Sequence, residues 1–220
     1  MKTLIINIKV LLSIFLISAG FQVYSQDVEN DFQSRAAFDL QLKPIKKLKI
    51  NISPEIRFDE SFSVAKYLLE TEVSYKLIKH VYVGGNYRFI VNPREGKDTE
   101  LSQRFGFNAT YKNKINDFTP AFRLSYTNYS DDISDSQKDN FLRYKLSLKY
   151  DIPKNKITPS IGAELYHQMD DNQLYKIRYK AEIDYKLFKH NYISVYYKFD
   201  YYLQEYKNKN IIGFSYKLKL

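Results

Sequence analysis

The sequence predicts an all-β protein, a single antiparallel transmembrane β-barrel of about 10–12 strands. Three observations carry this expectation. Apolar and polar residues alternate with period two nearly to the last residue, the signature of strands with one apolar and one polar face. The alternating segments are long: at a tilt near 40°, about eleven residues rise roughly 28 Å, the thickness of a bilayer's hydrocarbon layer, whereas strands of soluble proteins have a mode of about 5–6 residues. The connections alternate too, longer polar segments on one side and tight turns on the other, as in barrels whose loops face outward and whose turns face the periplasm.

In chain order, residues 1–25 open with Lys2 and Lys9, continue through the apolar run Val10 to Ala19, and reach Ser25 before Gln26-Asp27. A positive start, a short apolar core and a small residue at the cut describe a secretory signal peptide cleaved near Ser25. Residues 26–220 then form one barrel domain destined for the cell outer membrane. No composition break or helical period divides it.

Eleven segments carry the strand pattern: 32–43, 48–59, 66–77, 81–91, 99–112, 118–129, 141–151, 156–167, 173–186, 192–203 and 209–220. From Leu48 to Phe58 every even position is apolar and every odd one polar, and from Tyr175 to Lys186 each polar slot is charged. A helix would scatter those charges around its circumference. Pro54, Pro120 and Pro159 fall on the apolar face and each remove a ladder donor. Bacterial single-chain barrels have even strand numbers. An odd count therefore calls for a short added strand from residues 26–31, a first segment outside the ring, or a different count.

Aromatic residues crowd the strand ends: Tyr75, Tyr111, Phe118, Tyr150, Tyr185, Phe188 and Tyr192 toward the short turns, and Phe58, Tyr67, Phe89, Tyr126, Tyr175 and Tyr201 toward the loops. Two such belts are expected at the two lipid–water interfaces. The alternative is a secreted soluble β-sandwich binding protein, in which the same alternation buries the aromatic face between two sheets.

Composition narrows the function classes. The chain has no cysteine, hence no disulfide framework, no thiolate metal site and no Cys nucleophile. Its 21 Tyr and 15 Phe are too many for a disordered chain. The 34 Lys+Arg against 25 Asp+Glu leave a net charge of +9, yet no nucleic-acid-binding module accompanies it. We therefore expect no nucleic-acid partner.

The Phe32 opening, Pro44-Ile45-Lys46-Lys47-Leu48, Glu55-Ile56-Arg57-Phe58, Tyr75-Lys76-Leu77-Ile78-Lys79-His80, Gly85-Asn86-Tyr87-Arg88-Phe89-Ile90 and Arg178-Tyr179 resemble the family catalogued as domain of unknown function 2490. The resemblance covers nearly the whole mature chain and implies an outer-membrane β-barrel of a Gram-negative envelope, with no activity or catalytic residue to transfer. Gly213 to Leu220 is similar to the C-terminal signal read by the barrel-assembly machinery, but ends on Leu220 where that signal has an aromatic residue. Outer-membrane lipid and that machinery are the partners implied.

With the apolar set facing lipid, strand parity points a charged set inward. Toward the loops lie Arg57, Arg88, Arg104, Arg143 and Arg178, with Arg123 nearer mid-strand, and with them Glu55, Glu70, Glu72, Glu164, Glu182 and Asp200. Toward the turns lie Lys49, Lys76, Lys112, Lys149, Lys186 and Lys217, a lysine ring at the periplasmic mouth. The mixed layer reads as a plug of paired charges, because an unpaired buried ion costs several kcal/mol. The lysine ring should repel itself into a wet, open mouth that admits a small anionic solute from the periplasm.

The expected function is thus that of a structural barrel or a narrow, anion-favouring channel, with no enzyme activity and no cofactor. A lipid-modifying hydrolase is the other alternative. Of the three histidines, His80 and His190 sit in tight turns after lysines, and His167, beside Asp170-Asp171, is the one candidate base on the loop side. Asp131, Asp132, Asp135 and Asp139 could together hold a hard cation, but they lack the calcium-loop spacing and its glycine. No metal is expected.

Overall fold

The structure is a computed structural model that describes residues 29–94, 96, 98–128, 139–204 and 207–220. The expected signal peptide and its cut near Ser25 lie outside the described residues, as do Asp131, Asp132 and Asp135. Eleven strands follow one another: β1 (Glu29–Ile45), β2 (Leu48–Phe58), β3 (Val64–Ile78), β4 (Val81–Asn92), β5 (Glu100–Lys112), β6 (Phe118–Thr127), β7 (Phe141–Tyr150), β8 (Ile157–Gln168), β9 (Gln173–Phe188), β10 (Asn191–Tyr202) and β11 (Lys207–Lys219). Every expected segment is a strand, with ends shifted by at most three residues.

The strands close into a ring in which each pairs with its sequence neighbours. Consecutive pairs are antiparallel, and β1 meets β11 in parallel, from Glu29↔Lys207 to Gln41↔Lys219. The count falls within the expected 10–12 strands, and the barrel is antiparallel except at this one seam. With an odd number of alternating strands, the first and last run the same way, so the ring can close only through a parallel pair. Residues 29–31 lengthen β1 and do not form a twelfth strand.

Tyr179, Ile183 and Tyr185 are 49%, 54% and 41% exposed. They lie on the outside of the ring, which rules out the sandwich, where they would be buried. The other wall faces the lumen: odd positions of β1, β2, β6, β7 and β11 and even positions of the remaining strands. The buried residues lie on that wall, small polar ones such as Ser125, Thr127 and Ser194 among them.

The connections are less lopsided than the sequence suggests. One end has the two-residue turns 46–47, 79–80 and 189–190 together with 113–117 and 151–156. The other has 59–63, 93–99, 128–140, 169–172 and 203–206. We call these the turn end and the loop end. Pro54 leaves a gap in the β1–β2 ladder, whose register skips from Ala37↔Glu55 to Leu40↔Ile52, while Pro120 and Pro159 sit near the starts of β6 and β8.

Two aromatic assignments are corrected. Tyr175 is 7% exposed and lies inside, because the β8–β9 register slips between Tyr166↔Lys176 and His167↔Leu174. A bulge there turns Tyr175 to the same side as Lys176. Tyr192 shares the lumen parity of Ser194 and Tyr196, and its ring lies 3.7 Å from Lys219 Nζ. The remaining belt residues are on the outer wall, where Phe118 stacks on Tyr150 at 4.7 Å.

Candidate functional site: the lumen

The lumen is filled in its loop half. Leu68, Ile90, Phe141, Tyr166, Tyr175 and Tyr202, all on inward positions, are no more than 7% exposed. Phe141 contacts Tyr166 and Tyr175, and Tyr175 contacts Tyr202, with ring centroids 5.4–6.3 Å apart. Parity arguments from charge alone missed this apolar set. The signal was present in the sequence: Leu68, Ile90, Phe141 and Ile211 break the alternation by standing in polar slots.

Charges meet beneath and within this layer. Lys176 Nζ donates to Asp200 Oδ2 at 3.0 Å, with both side chains fully buried, and Arg178 also donates to Asp200. The Lys176 ammonium lies 4.8 and 4.9 Å from the Tyr166 and Tyr202 rings, so aromatic faces cover the sides that Asp200 leaves open. Arg178 Nη1 donates to the Tyr166 hydroxyl at 2.9 Å, and Arg143 approaches Glu164 at 3.7 Å. Glu55 takes Arg57 Nε at 2.6 Å and faces Arg35 Nη1 at 3.8 Å. Glu70 accepts from Arg88 Nε and Asn86 Nδ2, both at 2.8 Å, and Arg104 lies 3.7 Å away. Lower down, Arg123 reaches Glu72 at 3.7 Å and donates to Thr110 Oγ1 at 3.1 Å.

Glu182 sits nearer the turn end than the sequence reading places it. It pairs with Lys180 and, at 2.7 Å, with Lys217, which also holds Asp184 at 2.9 Å. Arg35, Lys145, Lys176, Lys180, Lys198 and Lys209 are further inward cations on the lumen wall. Lys198 and Lys180 both approach one aromatic ring, their ammonium nitrogens lying 4.4 and 4.9 Å from the Tyr196 centroid.

The turn half holds a cavity of about 380 Å³ lined by Asp39, Gln41, Asn51, Ser53, Glu70, Glu72, Lys217 and Lys219. Its walls are largely tied together: Ser53 Oγ donates to Asp39 Oδ1 at 2.6 Å and Gln41 Nε2 to Asn51 Oδ1 at 3.1 Å. The six ring lysines occupy lumen-parity positions, but they are not six equivalent free ammonium groups. Lys217 has two carboxylate partners, Lys149 approaches Asp151 at 3.3 Å, and Lys112 lies within electrostatic reach of Lys49, Lys149 and Asp151. Lys76 and Lys186 stand at the ends of β3 and β9. Carboxylates thus accompany Lys112, Lys149 and Lys217.

At the loop end, Gln168 Nε2 donates to Asp139 and Asp171, both at 2.9 Å, and the Asn140 N–H donates to Asp170 at 2.6 Å. Burial, with Asp170 and Asp171 alongside, raises the Asp139 carboxyl above its ordinary value. His167 Nε2 lies 3.0 Å from Asn172 Oδ1. At the turn end, Lys114 bonds Asp151 at 2.9 Å and, with Lys149, holds that carboxyl below its usual range.

A comparison with curated proteins finds no match. The family pattern described as protein of unknown function (DUF2490) matches residues 33–217, a span that contains all but the outermost residues of the eleven-stranded ring. The chain belongs to that DUF2490 family.

Proposed function

We propose that the protein is an outer-membrane barrel that does not conduct: a structural element whose lumen is closed toward the loops and forms a shallow polar cup toward the periplasmic turns. One observation carries this reading, the filled loop half of the lumen, where Phe141, Ile90, Lys176 and Asp200 are fully buried. Membrane residence is supported by the outer wall. Leu101, Phe107, Leu146 and Ile183 are 54–67% exposed around the ring, an apolar surface larger than soluble monomers present to water. Passage of an anion would require the Arg178–Asp200–Lys176 set to separate inside a low-dielectric interior. The acidic share of the cup also weakens anion preference relative to a purely basic ring.

Reconstitution of the purified barrel into planar bilayers tests this reading. No steady conductance is expected; steady anion-selective steps would restore the channel. Release of fatty acid from the lipid, abolished by His167→Ala, would instead assign a hydrolase.

A further inference from the structure

The two ends of the barrel carry opposite charge. Connections at the turn end contribute Lys46, Lys47, Lys79, Lys114, Lys154, Lys156 and Lys189, all exposed, and as acids only Asp117 and Asp151. Described connections at the loop end contribute Asp59, Glu60, Asp98, Asp139, Asp170 and Asp171, with Arg94 as their one arginine or lysine. The turn-end cations are not gathered into one patch. They recur at every second strand around the ring, about 10 Å apart given a strand spacing near 4.8 Å.

Each two-residue hairpin repeats one arrangement. Ile45, Ile78 and Phe188, which are 59%, 62% and 62% exposed, immediately precede Lys46, Lys79 and Lys189. The hairpins at 75–83 and 185–193 are near copies: Tyr75-Lys76-Leu77-Ile78-Lys79-His80 against Tyr185-Lys186-Leu187-Phe188-Lys189-His190. In both, the histidine takes the left-handed backbone that the turn requires, with φ of 68° and 70°. The apolar outer wall therefore runs up to the turn, and a lysine begins where it stops. An apolar anchor followed by an ammonium matches a lipid boundary, where the side chain's stem stays in apolar surroundings and its charge reaches the headgroups.

We propose that the turn-end rim docks anionic phospholipid headgroups of the leaflet on that side, with Lys46, Lys79 and Lys189 as the principal phosphate contacts. The inference rests on the membrane reading above. A ring of separated cations at an apolar boundary suits many small anions held at the same depth; a nucleic acid or acidic protein would be better served by a contiguous patch. Juxtamembrane lysines attract anionic lipid strongly enough for about a five-fold local preference each.

The test reconstitutes the full barrel in phosphatidylcholine vesicles carrying trace nitroxide-labelled phosphatidylglycerol or phosphatidylcholine, and reads the protein-bound fraction of each by electron spin resonance. About five-fold preference for phosphatidylglycerol is expected at low salt, falling toward unity in 1 M salt because screening shortens the reach of charge. The combined variant Lys46→Gln, Lys79→Gln, Lys189→Gln should lose most of that preference and keep its β-sheet circular dichroism. Equal association of the two lipids by an incorporated barrel would overturn the rim proposal and leave the membrane reading standing. Preference undiminished in the variant, or abolished by millimolar glycerophosphate, would also overturn it. Failure to incorporate into any vesicle would overturn both.

Discussion

Asp200 is the residue on which the buried charges turn, since it accepts from Lys176 and Arg178 with no exposure of its own. Removing one member of a buried pair leaves an uncompensated ion, at a cost of about 3–5 kcal/mol. Asp200→Ala should lose about that much in urea unfolding of the detergent-solubilised barrel, and Asp200→Asn, which keeps an acceptor oxygen, should lose less. At the two ends, opposite pH dependences are expected. The depressed Asp151 carboxyl contributes stability above its unfolded pKa, and that contribution fades as pH falls through the folded value. The raised Asp139 carboxyl behaves in reverse: its contribution is present at low pH and is lost as pH rises through the folded value. Amide protection factors in acid should therefore fall around residues 113–117 and 151–156 and hold around 139–140. Lys114→Met should flatten the first of these trends. Tyr175 and Tyr192 show where residue-level reading failed. Both are aromatics near strand ends, but one is turned inward by a bulge that leaves no mark in the alternation, and the other has lumen parity.

Among the elements, β10 and β11 meet closely at Gly213. A Cβ there would come within 2.0 Å of Tyr196 Cζ, so the glycine leaves room for the ring that Lys180 and Lys198 flank. Gly213→Ala must displace that ring, and overpacking of this kind costs about 1–3 kcal/mol. The urea midpoint should fall, and Tyr196→Phe should not relieve it, because the ring carbons are already in the way. The β1–β11 seam has its own test, which the absence of native cysteine makes clean. Phe38 and Tyr216 are register partners with rings stacked at 5.9 Å. A Phe38→Cys/Tyr216→Cys chain should form an intramolecular disulfide on oxidation, and a Phe38→Cys/Ile212→Cys chain should not. All eleven strands were legible because one-sided burial writes alternation directly into sequence. The closure was not, because nothing local in Glu29–Ile45 records which partner completes the ring.

For the whole molecule, charge sorts along the barrel axis and polarity sorts across its wall. The inward direction of the charged set was readable from parity; the pairing within it was not, since partners such as Lys217 and Glu182 come from different strands. The apolar plug escaped notice because four residues in polar slots look like noise until the ring brings them together. In a membrane barrel the outer wall meets lipid while the inner wall does not. Single-cysteine chains labelled with bimane and reconstituted in vesicles with nitroxide-bearing acyl chains test it most directly. Labels at Leu146→Cys, Ile183→Cys and Val195→Cys, positions 51–62% exposed on the outer wall, should be quenched by the lipid nitroxide and shielded from an aqueous quencher. Labels at Ser147→Cys and Ser160→Cys, on the lumen wall, should escape the lipid quencher. Quenching of all five by the aqueous reagent alone, or lipid quenching of the serine pair, would contradict a lipid-facing outer wall around a lipid-free lumen.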